Sequence, residues 1–246
     1  MEKILKIAIG GGKNLYGKFE GSSKQPLFII VHGLPGNMDE EFYHNATRYF
    51  KKNKYATFRF NLYDWRESAR QLIDCTLRTH ADDIDAVVKH FRKKGFKKIF
   101  IAGHSFGGPS ILLSKQQDFN AVALWDPSYE ISFTKRRYGF SGGKYVKEIK
   151  GYLMCWGAST VIGKNMANEV DSLDWQNLTK KFNPPIIEIL AGKGVLLKKA
   201  SNYFKHARTQ KKIVVIKGAT HYFDETEKIQ QAVFNETKKW FDKFTR

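Results

Sequence analysis

Short apolar runs alternate with longer amphipathic stretches along most of the chain. The runs are continuous rather than alternating, as in strands that are covered on both faces. They stand at residues 27–31, 56–60, 97–102, 121–125, 186–190 and 213–216. Between the second and third runs, Ile84, Val87 and Phe91 recur at helical spacing. This order predicts an α/β fold with a mostly parallel central sheet and helices on both faces.

Two regions depart from this alternation. Residues 4–9 and 15–20 flank a Gly-Gly-Gly-Lys-Asn stretch, which predicts an antiparallel hairpin at the start of the sheet. Residues 127–183 follow the sixth predicted strand and mix Gly, Tyr, Trp and charged residues, and only 151–156 has a strand-like pattern. We therefore predict one domain over residues 1–246, with 127–183 as a small cap-like insertion over the site.

The net charge is strongly basic, but the basic residues are spread along the chain. Lys and Arg total 42 against 24 for Asp and Glu, a formal net charge of +18. Nucleic-acid binding needs a basic patch or stripe, and here the clusters are short and scattered. We expect a solvated basic surface and no nucleic-acid partner, with a polyanion or an anionic membrane surface as the alternative.

Cysteine spacing and hydropathy exclude several classes of protein. Cys75 and Cys155 stand far apart without metal-ligand spacing, so neither a disulfide framework nor a metal site is predicted. No run of about 18 apolar residues occurs, which excludes a transmembrane helix. The first residues are interrupted by charge and lack the pattern of a secretory signal. The expected location is the cytoplasm.

A candidate nucleophile stands in a Gly-His-Ser-Phe-Gly motif at residues 103–107. The motif follows the predicted strand at 97–102 and precedes a helical run expected at about 105–114. A serine at such a sharp strand-to-helix turn has a strained backbone that exposes its Oγ above the sheet, and small neighbours give it room. Ser105 is therefore the predicted nucleophile; the alternative is a helix N-cap beside a phosphate-binding turn.

Candidate oxyanion donors come from two turns. His-Gly-Leu-Pro-Gly at 32–36 follows the strand at 27–31 and would expose the backbone N–H of Leu34. The N–H of Phe106 would come from the nucleophile turn, and two such donors suit a tetrahedral oxyanion. The alternative is an ordinary turn, which Gly and Pro also favour. His32 is expected to be structural.

The candidate general base is His221. It follows the last predicted strand and a Lys-Gly-Ala-Thr turn, so it belongs to the carboxyl edge of the sheet, where open α/β sheets form their sites. Imidazole titrates near neutral pH and can accept and return the serine proton. The alternative is a surface histidine near a helix start.

These motifs resemble those of the α/β-hydrolase superfamily, and within it the small cytosolic serine esterases, monoacylglycerol lipases and serine-aminopeptidase-like hydrolases. His-Gly-Leu-Pro-Gly at 32–36, Gly-His-Ser-Phe-Gly-Gly at 103–108 and Gly-Ala-Thr-His-Tyr-Phe at 218–223 occur in the family's order, and the resemblance covers nearly the whole chain. It implies the α/β-hydrolase fold and a Ser–His–acid triad.

The acid departs from the family's pattern. Members usually have it on the loop after the strand corresponding to 186–190, where this chain reads Ala-Gly-Lys-Gly-Val-Leu-Leu without a carboxylate. Some members have the acid after the preceding sheet strand instead, and Asp126 occupies that position. Asp126 is our choice, Glu130 is a weaker candidate, and a Ser–His dyad stays open. Asp126 could also be a turn residue, because Asp-Pro initiates turns.

The predicted activity is hydrolysis of a small-molecule carboxylic ester through an acyl-enzyme, without a metal or organic cofactor. Thioester or amide hydrolysis would use the same groups, and a catalytically impaired binding protein is the alternative from another class. Aromatic residues of the insertion either wall an acyl pocket or form the insertion's own core. They are Tyr129, Phe133, Tyr138, Phe140, Tyr145, Tyr152 and Trp156.

Overall fold

The computed structural model describes residues 2–137, 142–156 and 158–245. Its strands are β1 (Lys3–Gly10), β2 (Lys13–Glu20), β3 (Leu27–Val31), β4 (Ala56–Phe60), β5 (Ile99–His104), β6 (Ala121–Trp125), β7 (Lys144–Val146), β8 (Gly151–Trp156), β9 (Ala158–Gly163), β10 (Ile186–Ala191) and β11 (Lys211–Ile216). Within the described residues, eight of these form the main sheet in the order β1-β2-β4-β3-β5-β6-β10-β11.

The main sheet is parallel from β4 to β11 and antiparallel at its start. β1 pairs with β2 and β2 with β4 in antiparallel fashion, whereas every later pair is parallel. The predicted opening hairpin and the mostly parallel sheet are therefore confirmed. Register aligns the carboxyl ends of the central strands, because Val31 is level with Gly103 and His104 with Trp125. The turns after β3, β5 and β6 consequently lie side by side.

Helices cover both faces of this sheet, as predicted. They are α1 (Glu41–Lys52), α2 (Leu77–Lys93), α3 (Gly107–Leu112), α4 (Lys164–Ser172), α5 (Trp175–Lys181), α6 (Leu197–Phe204) and α7 (Glu227–Asp242). Alternate residues of β3 point to opposite faces: Ile29 joins the core that includes α2, and Phe28 joins the core of α1 and α7. Burial of these continuous apolar strands on both faces is the main source of stability.

Local sequence fixes where α2 begins. Thr76 precedes α2, and its hydroxyl accepts a hydrogen bond from the N–H of Thr79 (3.1 Å), whose own hydroxyl accepts from the N–H of Thr76 (2.9 Å). This reciprocal cap satisfies two N–H groups and contributes about 1 kcal/mol.

None of the described helices combines the length and the apolar character that crossing a bilayer requires.

Residues between β6 and β10 contain more regular structure than the sequence predicted. The strand predicted at 151–156 is confirmed as β8, but the expectation of a single strand was wrong: β7, β8 and β9 form a separate antiparallel sheet, and α4 and α5 follow it. β7 has three residues, none of them buried, so no apolar pattern marks it. Its hydrogen bonds come from pairing with the neighbouring strand β8, and strand formation that depends on such pairing is not visible in the apolar pattern of three residues.

Candidate active site

Ser105 lies at the sharp turn between β5 and α3. Its φ of +53° is in the left-handed region, where a residue with a side chain is strained, and 6% of its surface is exposed. The chain passes so closely that a Cβ on Gly103 would meet the carbonyl oxygen of Gly107 at 2.6 Å. The sequence predicted that the helix begins at about Ser105, but it begins at Gly107. Ser105 is excluded from it because a left-handed residue cannot belong to a right-handed helix.

His221 reaches Ser105 from the turn after β11. Its Nε2 is 2.9 Å from the Ser105 Oγ. The side chain is 27% exposed, so the imidazole borders solvent on one side and the serine on the other. Residues 105 and 221 therefore meet at the carboxyl edge of the sheet, where the sequence located both.

Asp126 completes a continuous hydrogen-bonded chain of side chains. It follows β6 directly, has a φ of +42° and is fully buried. Its Oδ2 lies 2.6 Å from the Nδ1 of His221, and its Oδ1 accepts a hydrogen bond from the N–H of Ala191 at 3.0 Å. Ser105 and Asp126 lie side by side at the ends of the paired strands β5 and β6. The N–H of Ser105 donates to the carbonyl of Trp125 (2.9 Å) and fixes this alignment.

Glu130, the second acid candidate, is engaged elsewhere. Its carboxylate accepts a hydrogen bond from Lys199 and lies 3.6 Å from the Nη1 of Arg137. The His221 ring has Asp126 as its carboxylate partner. The structure therefore brings Asp126, and not Glu130, to the imidazole.

The two predicted oxyanion donors border the same cavity as Ser105. Leu34 and Phe106 both line it. Within the described part of the chain, neither backbone N–H has a hydrogen-bond acceptor. The β3 turn comes so near that a Cβ on Gly33 would lie 2.9 Å from the Ser105 Cβ. Two unpaired N–H groups beside a serine hydroxyl are what an oxyanion site requires.

A hydrogen-bond network that the sequence did not predict connects the oxyanion turn to the histidine loop. The N–H of Gly33 donates to the hydroxyl of Tyr43 (3.1 Å), which is 2.9 Å from the Nδ1 of His104. The Nε2 of His104 is 2.7 Å from the carbonyl oxygen of His221. Burial, and then the neighbouring His221, lower the pKa of His104 to about 3, so this imidazole stays neutral.

Neutral His104 has one arrangement of protons that satisfies all three contacts. Because the His221 carbonyl can only accept, the Nε2 of His104 carries the proton and its Nδ1 accepts from the Tyr43 hydroxyl. Tyr43 and His104 thus hold the oxyanion turn and the His221 loop in fixed relation. The sequence did not single out this network, because Tyr43 occupies an ordinary apolar position of α1.

His32 supports the same turn from below, as the sequence predicted for a structural residue. Its Nε2 accepts from the N–H of Leu62 (3.0 Å), and its Nδ1 donates to the carbonyl of Gly33 (2.7 Å). Burial lowers the pKa of His32 to about 4, which keeps it neutral. It does not contact Ser105.

A cavity of about 220 Å³ opens onto Ser105 and His221. One part of its wall is apolar and includes Leu34, Pro35, Phe106, Ile131, Val195 and Leu196. The other part is polar and includes Ser128, Ser132 and Arg137. The cavity therefore suits a small, largely apolar group with a polar or anionic end.

Of the two alternatives for the insertion's aromatic residues, the pocket wall is wrong for the described ones, because none of them lines the cavity. Tyr129 is buried and donates its hydroxyl to Glu188 (2.7 Å), while Phe133 packs on Phe106 from outside the cavity lining. Tyr145 and Tyr152 pack on each other across β7 and β8. Tyr138, Phe140 and the side chain of Trp156 lie outside the described part of the chain. The described aromatic side chains of the insertion thus pack on the rest of the domain or on each other, and none of them lines the cavity.

Among the described residues, neither a metal-binding cluster nor a cysteine lies at this site. In the ranges that the structure covers, no group of three His, Cys, Asp or Glu side chains is arranged to hold a metal ion. Cys75 is buried and Cys155 is exposed, and both are free thiols. Burial raises the pKa of Cys75 to about 12, so its thiol is unreactive.

Comparisons with known proteins agree with this fold. A family model described as the alpha/beta hydrolase fold matches residues 26–127. Est1E from Butyrivibrio proteoclasticus, solved with ferulic acid bound, is 22% identical with a TM-score of 0.81 over 97% of this chain and 99% of its own. Alpha/beta hydrolase domain-containing protein 10 from mouse is 15% identical with a TM-score of 0.75 over 99% and 100%. A comparison with curated proteins finds no match. The chain therefore has the α/β-hydrolase fold.

Proposed function

We propose that the protein is a serine hydrolase that cleaves carboxylic esters of small molecules through an acyl-enzyme. One observation carries the proposal: Ser105 Oγ, His221 Nε2 and Nδ1, and Asp126 Oδ2 form an unbroken hydrogen-bonded chain at a cavity. A serine is a weak nucleophile by itself and needs an adjacent base that a third group orients. These three side chains match that requirement in distance and in order.

The first half of the proposed reaction forms the acyl-enzyme. Ser105 Oγ attacks the ester carbonyl as its proton passes to the Nε2 of His221, and the N–H groups of Leu34 and Phe106 stabilise the oxyanion. Asp126 keeps the other imidazole proton on Nδ1 and stabilises the imidazolium. The carbon–oxygen bond to the alcohol then breaks, and His221 returns the proton to the departing oxygen.

The second half releases the acid. His221 accepts a proton from water, the water oxygen attacks the acyl carbon, and the bond to Ser105 Oγ breaks as that oxygen takes the proton back. We further propose that residues 127–183 act as a cap that helps to select the acyl or alcohol group. Ser128, Ile131, Ser132 and Arg137 from this segment border the cavity.

Thioester and amide hydrolysis are the alternatives within the same machinery. A comparison of an aryl ester, an acyl-thioester and an anilide that share one acyl group separates them, and we expect the ester to give the highest kcat/KM. Aryl esters are the first choice because Est1E, which has the same fold, was solved with ferulic acid. The main reason to consider a catalytically impaired binding protein was the apparent lack of a triad acid. That reason no longer applies, because a carboxylate contacts His221.

A fluorophosphonate probe tests the proposal without knowledge of the natural substrate. We expect covalent modification of Ser105, located by peptide mass, while the nearby Ser128 and Ser132 stay unmodified. Ser105 needs an active base to react with such a probe. If Ser105 stays unlabelled in the folded protein and no ester is turned over, the proposal of a serine hydrolase is wrong.

Arg137 is expected to favour substrates with an anionic end. Among the described lining residues it bears the one permanent positive charge, and it shares its partner Glu130 with Lys199. Because its side chain is 44% exposed, the gain is modest. Arg137→Gln should raise KM about three- to fivefold for para-nitrophenyl hydrogen succinate and leave the KM of para-nitrophenyl butyrate unchanged.

Arg136→Gln is the matched control, because it removes the same charge from an exposed neighbour that does not line the cavity. Added salt should reproduce the effect of Arg137→Gln on the anionic ester. Equal losses in the two variants would mean that overall charge, and not a contact in the cavity, attracts the anion.

A further inference from the structure

Ser128 is a second hydroxyl beside the nucleophile. It lies two residues after Asp126, is 5% exposed and lines the cavity. Its Oγ is 3.1 Å from the Oγ of Ser105, and its backbone N–H donates to the Ser105 carbonyl at 3.1 Å. The backbone bond fixes this position independently of the side chain, so the approach of the hydroxyl is built into the turn after β6.

Proton positions decide which serine donates. In the state that reacts, Asp126 holds the imidazole proton on His221 Nδ1, so Nε2 is bare and accepts the proton of Ser105 Oγ. Ser105 then has no proton left for Ser128. The 3.1 Å contact between the two hydroxyl oxygens therefore has Ser128 as donor and Ser105 as acceptor.

We propose that Ser128 is a catalytic residue that donates a hydrogen bond to the Oγ of Ser105 and accelerates breakdown of the acyl-enzyme. The inference rests on the proposed serine hydrolase function. It adds a third donor to the reaction centre, one directed at the nucleophile oxygen rather than at the oxyanion.

The effect differs between the two halves of the reaction. In the acyl-enzyme, Ser105 Oγ is an ester oxygen and a weak acceptor. As water attacks and the acyl carbon–Oγ bond breaks, the electron pair moves onto Oγ, which becomes a strong acceptor while His221 Nε2 supplies its proton. Ser128 keeps its own proton and strengthens its bond as charge develops, and only such differential interactions raise the rate.

Acylation gains much less from Ser128. The hydrogen bond exists before attack and weakens as Oγ becomes bonded to carbon, so it orients the nucleophile without favouring the transition state. Removal of the hydroxyl should therefore slow deacylation selectively. A role in packing alone would affect both steps or only the stability.

The test is Ser128→Ala in the full-length protein with para-nitrophenyl acetate. We expect the deacylation rate, followed as decay of acyl-enzyme mass, to fall about tenfold, the size of one hydrogen bond. The single-turnover acylation rate should stay within about twofold by the same reasoning. Steady-state kcat and KM then fall together, and kcat/KM is preserved.

Two further variants keep the test decisive. Ser201→Ala removes a hydroxyl that lies outside the cavity lining, where it donates to the carbonyl of Leu197, so both rates should be unchanged. Ser128→Cys keeps the size with a weak donor and should also slow deacylation; it replaces Ser128→Ala if that variant does not fold in a thermal unfolding assay.

The outcomes separate the two proposals. If a fluorophosphonate labels Ser105 in the wild type while both Ser128 variants deacylate at the wild-type rate, the role of Ser128 is wrong and the serine hydrolase stands. Equal slowing of acylation and deacylation also overturns it, because a general disturbance of the site would explain that result. Failure to label the wild type overturns both proposals.

Discussion

Asp126→Asn is expected to lower kcat for para-nitrophenyl acetate by about a thousand- to ten-thousandfold, with little change in KM. The N–H of Ala191 donates to the Oδ1 of Asp126, and an asparagine would keep its carbonyl oxygen there. Its NH₂ group would then face the Nδ1 of His221 and could only donate. The imidazole would have to move its proton to Nε2, where it can no longer accept the proton of Ser105.

Glu130→Gln is the matched control for this substitution. It is the same change from carboxylate to amide, on the other acid that the sequence offered, and Glu130 contacts Lys199 and Arg137 rather than His221. We expect its kcat to stay within a few-fold of the wild type. Near wild-type turnover by Asp126→Asn, or a large loss in Glu130→Gln, would show that Asp126 is not the acid. Thermal unfolding of each variant checks that the comparison concerns folded protein.

The position of the site was readable from the sequence because it depends on topology alone. Parallel strands end at one edge, and the turn motifs at residues 32–36, 103–108 and 218–223 each follow a strand. Three short motifs and a repeating pattern were therefore enough to bring Ser105, Leu34 and His221 to one edge. No side-chain geometry was needed for that step.

The acid could not be decided in the same way, since the loop after the strand at 186–190 has no carboxylate and Asp126, Glu130 and a Ser–His dyad all stayed open. The structure gives a physical reason for the unusual location. The loop after β10 passes so near Asp126 that a Cβ on Gly194 would lie 3.2 Å from its Oδ2. A larger side chain on that loop would crowd the carboxylate after β6. The loop that lacks the family's usual acid thus also makes room for Asp126 at Gly194, a contact across 68 residues of sequence that no local pattern reports.

The sequence also could not predict which way the side chains of the insertion point. Tyr129 was a candidate for the pocket wall, but its hydroxyl binds the fully buried Glu188. Burial raises the pKa of Glu188 well above its usual value, so it is neutral and beside Asp126 it adds no second negative charge. A glutamate in the middle of β10 carries no sequence signal that would attract a tyrosine from the segment after β6. The apolar cavity wall instead comes from Phe106 and from Leu34, Pro35, Ile131, Val195 and Leu196.

Acid should unfold the protein unusually easily, because three imidazoles are buried and neutral. Burial lowers the pKa of His32 to about 4 and the pKa of His80 and His104 to about 3, against 6.5 for an unperturbed imidazole. Below pH 6.5 the unfolded chain binds these protons and the folded protein does not, so stability falls as the pH decreases toward 4. At about pH 5 each imidazole costs about 2 kcal/mol. The sum of about 6 kcal/mol rivals the whole stability of a typical domain.

The melting temperature measured from about pH 8 to pH 4 should therefore drop steeply below about pH 6. His80→Leu isolates one contribution, because His80 is fully buried against Tyr63 and Phe106 and, among the described residues, neither ring nitrogen has a hydrogen-bond partner. The leucine should recover about 2 kcal/mol at pH 5 and leave ester hydrolysis at neutral pH largely unchanged. His44→Gln removes an exposed imidazole and serves as the control. If the melting temperatures of His80→Leu and the wild type fall in parallel as the pH decreases, the buried imidazoles do not cause the loss of stability in acid. The carboxylates would then have to account for all of that loss.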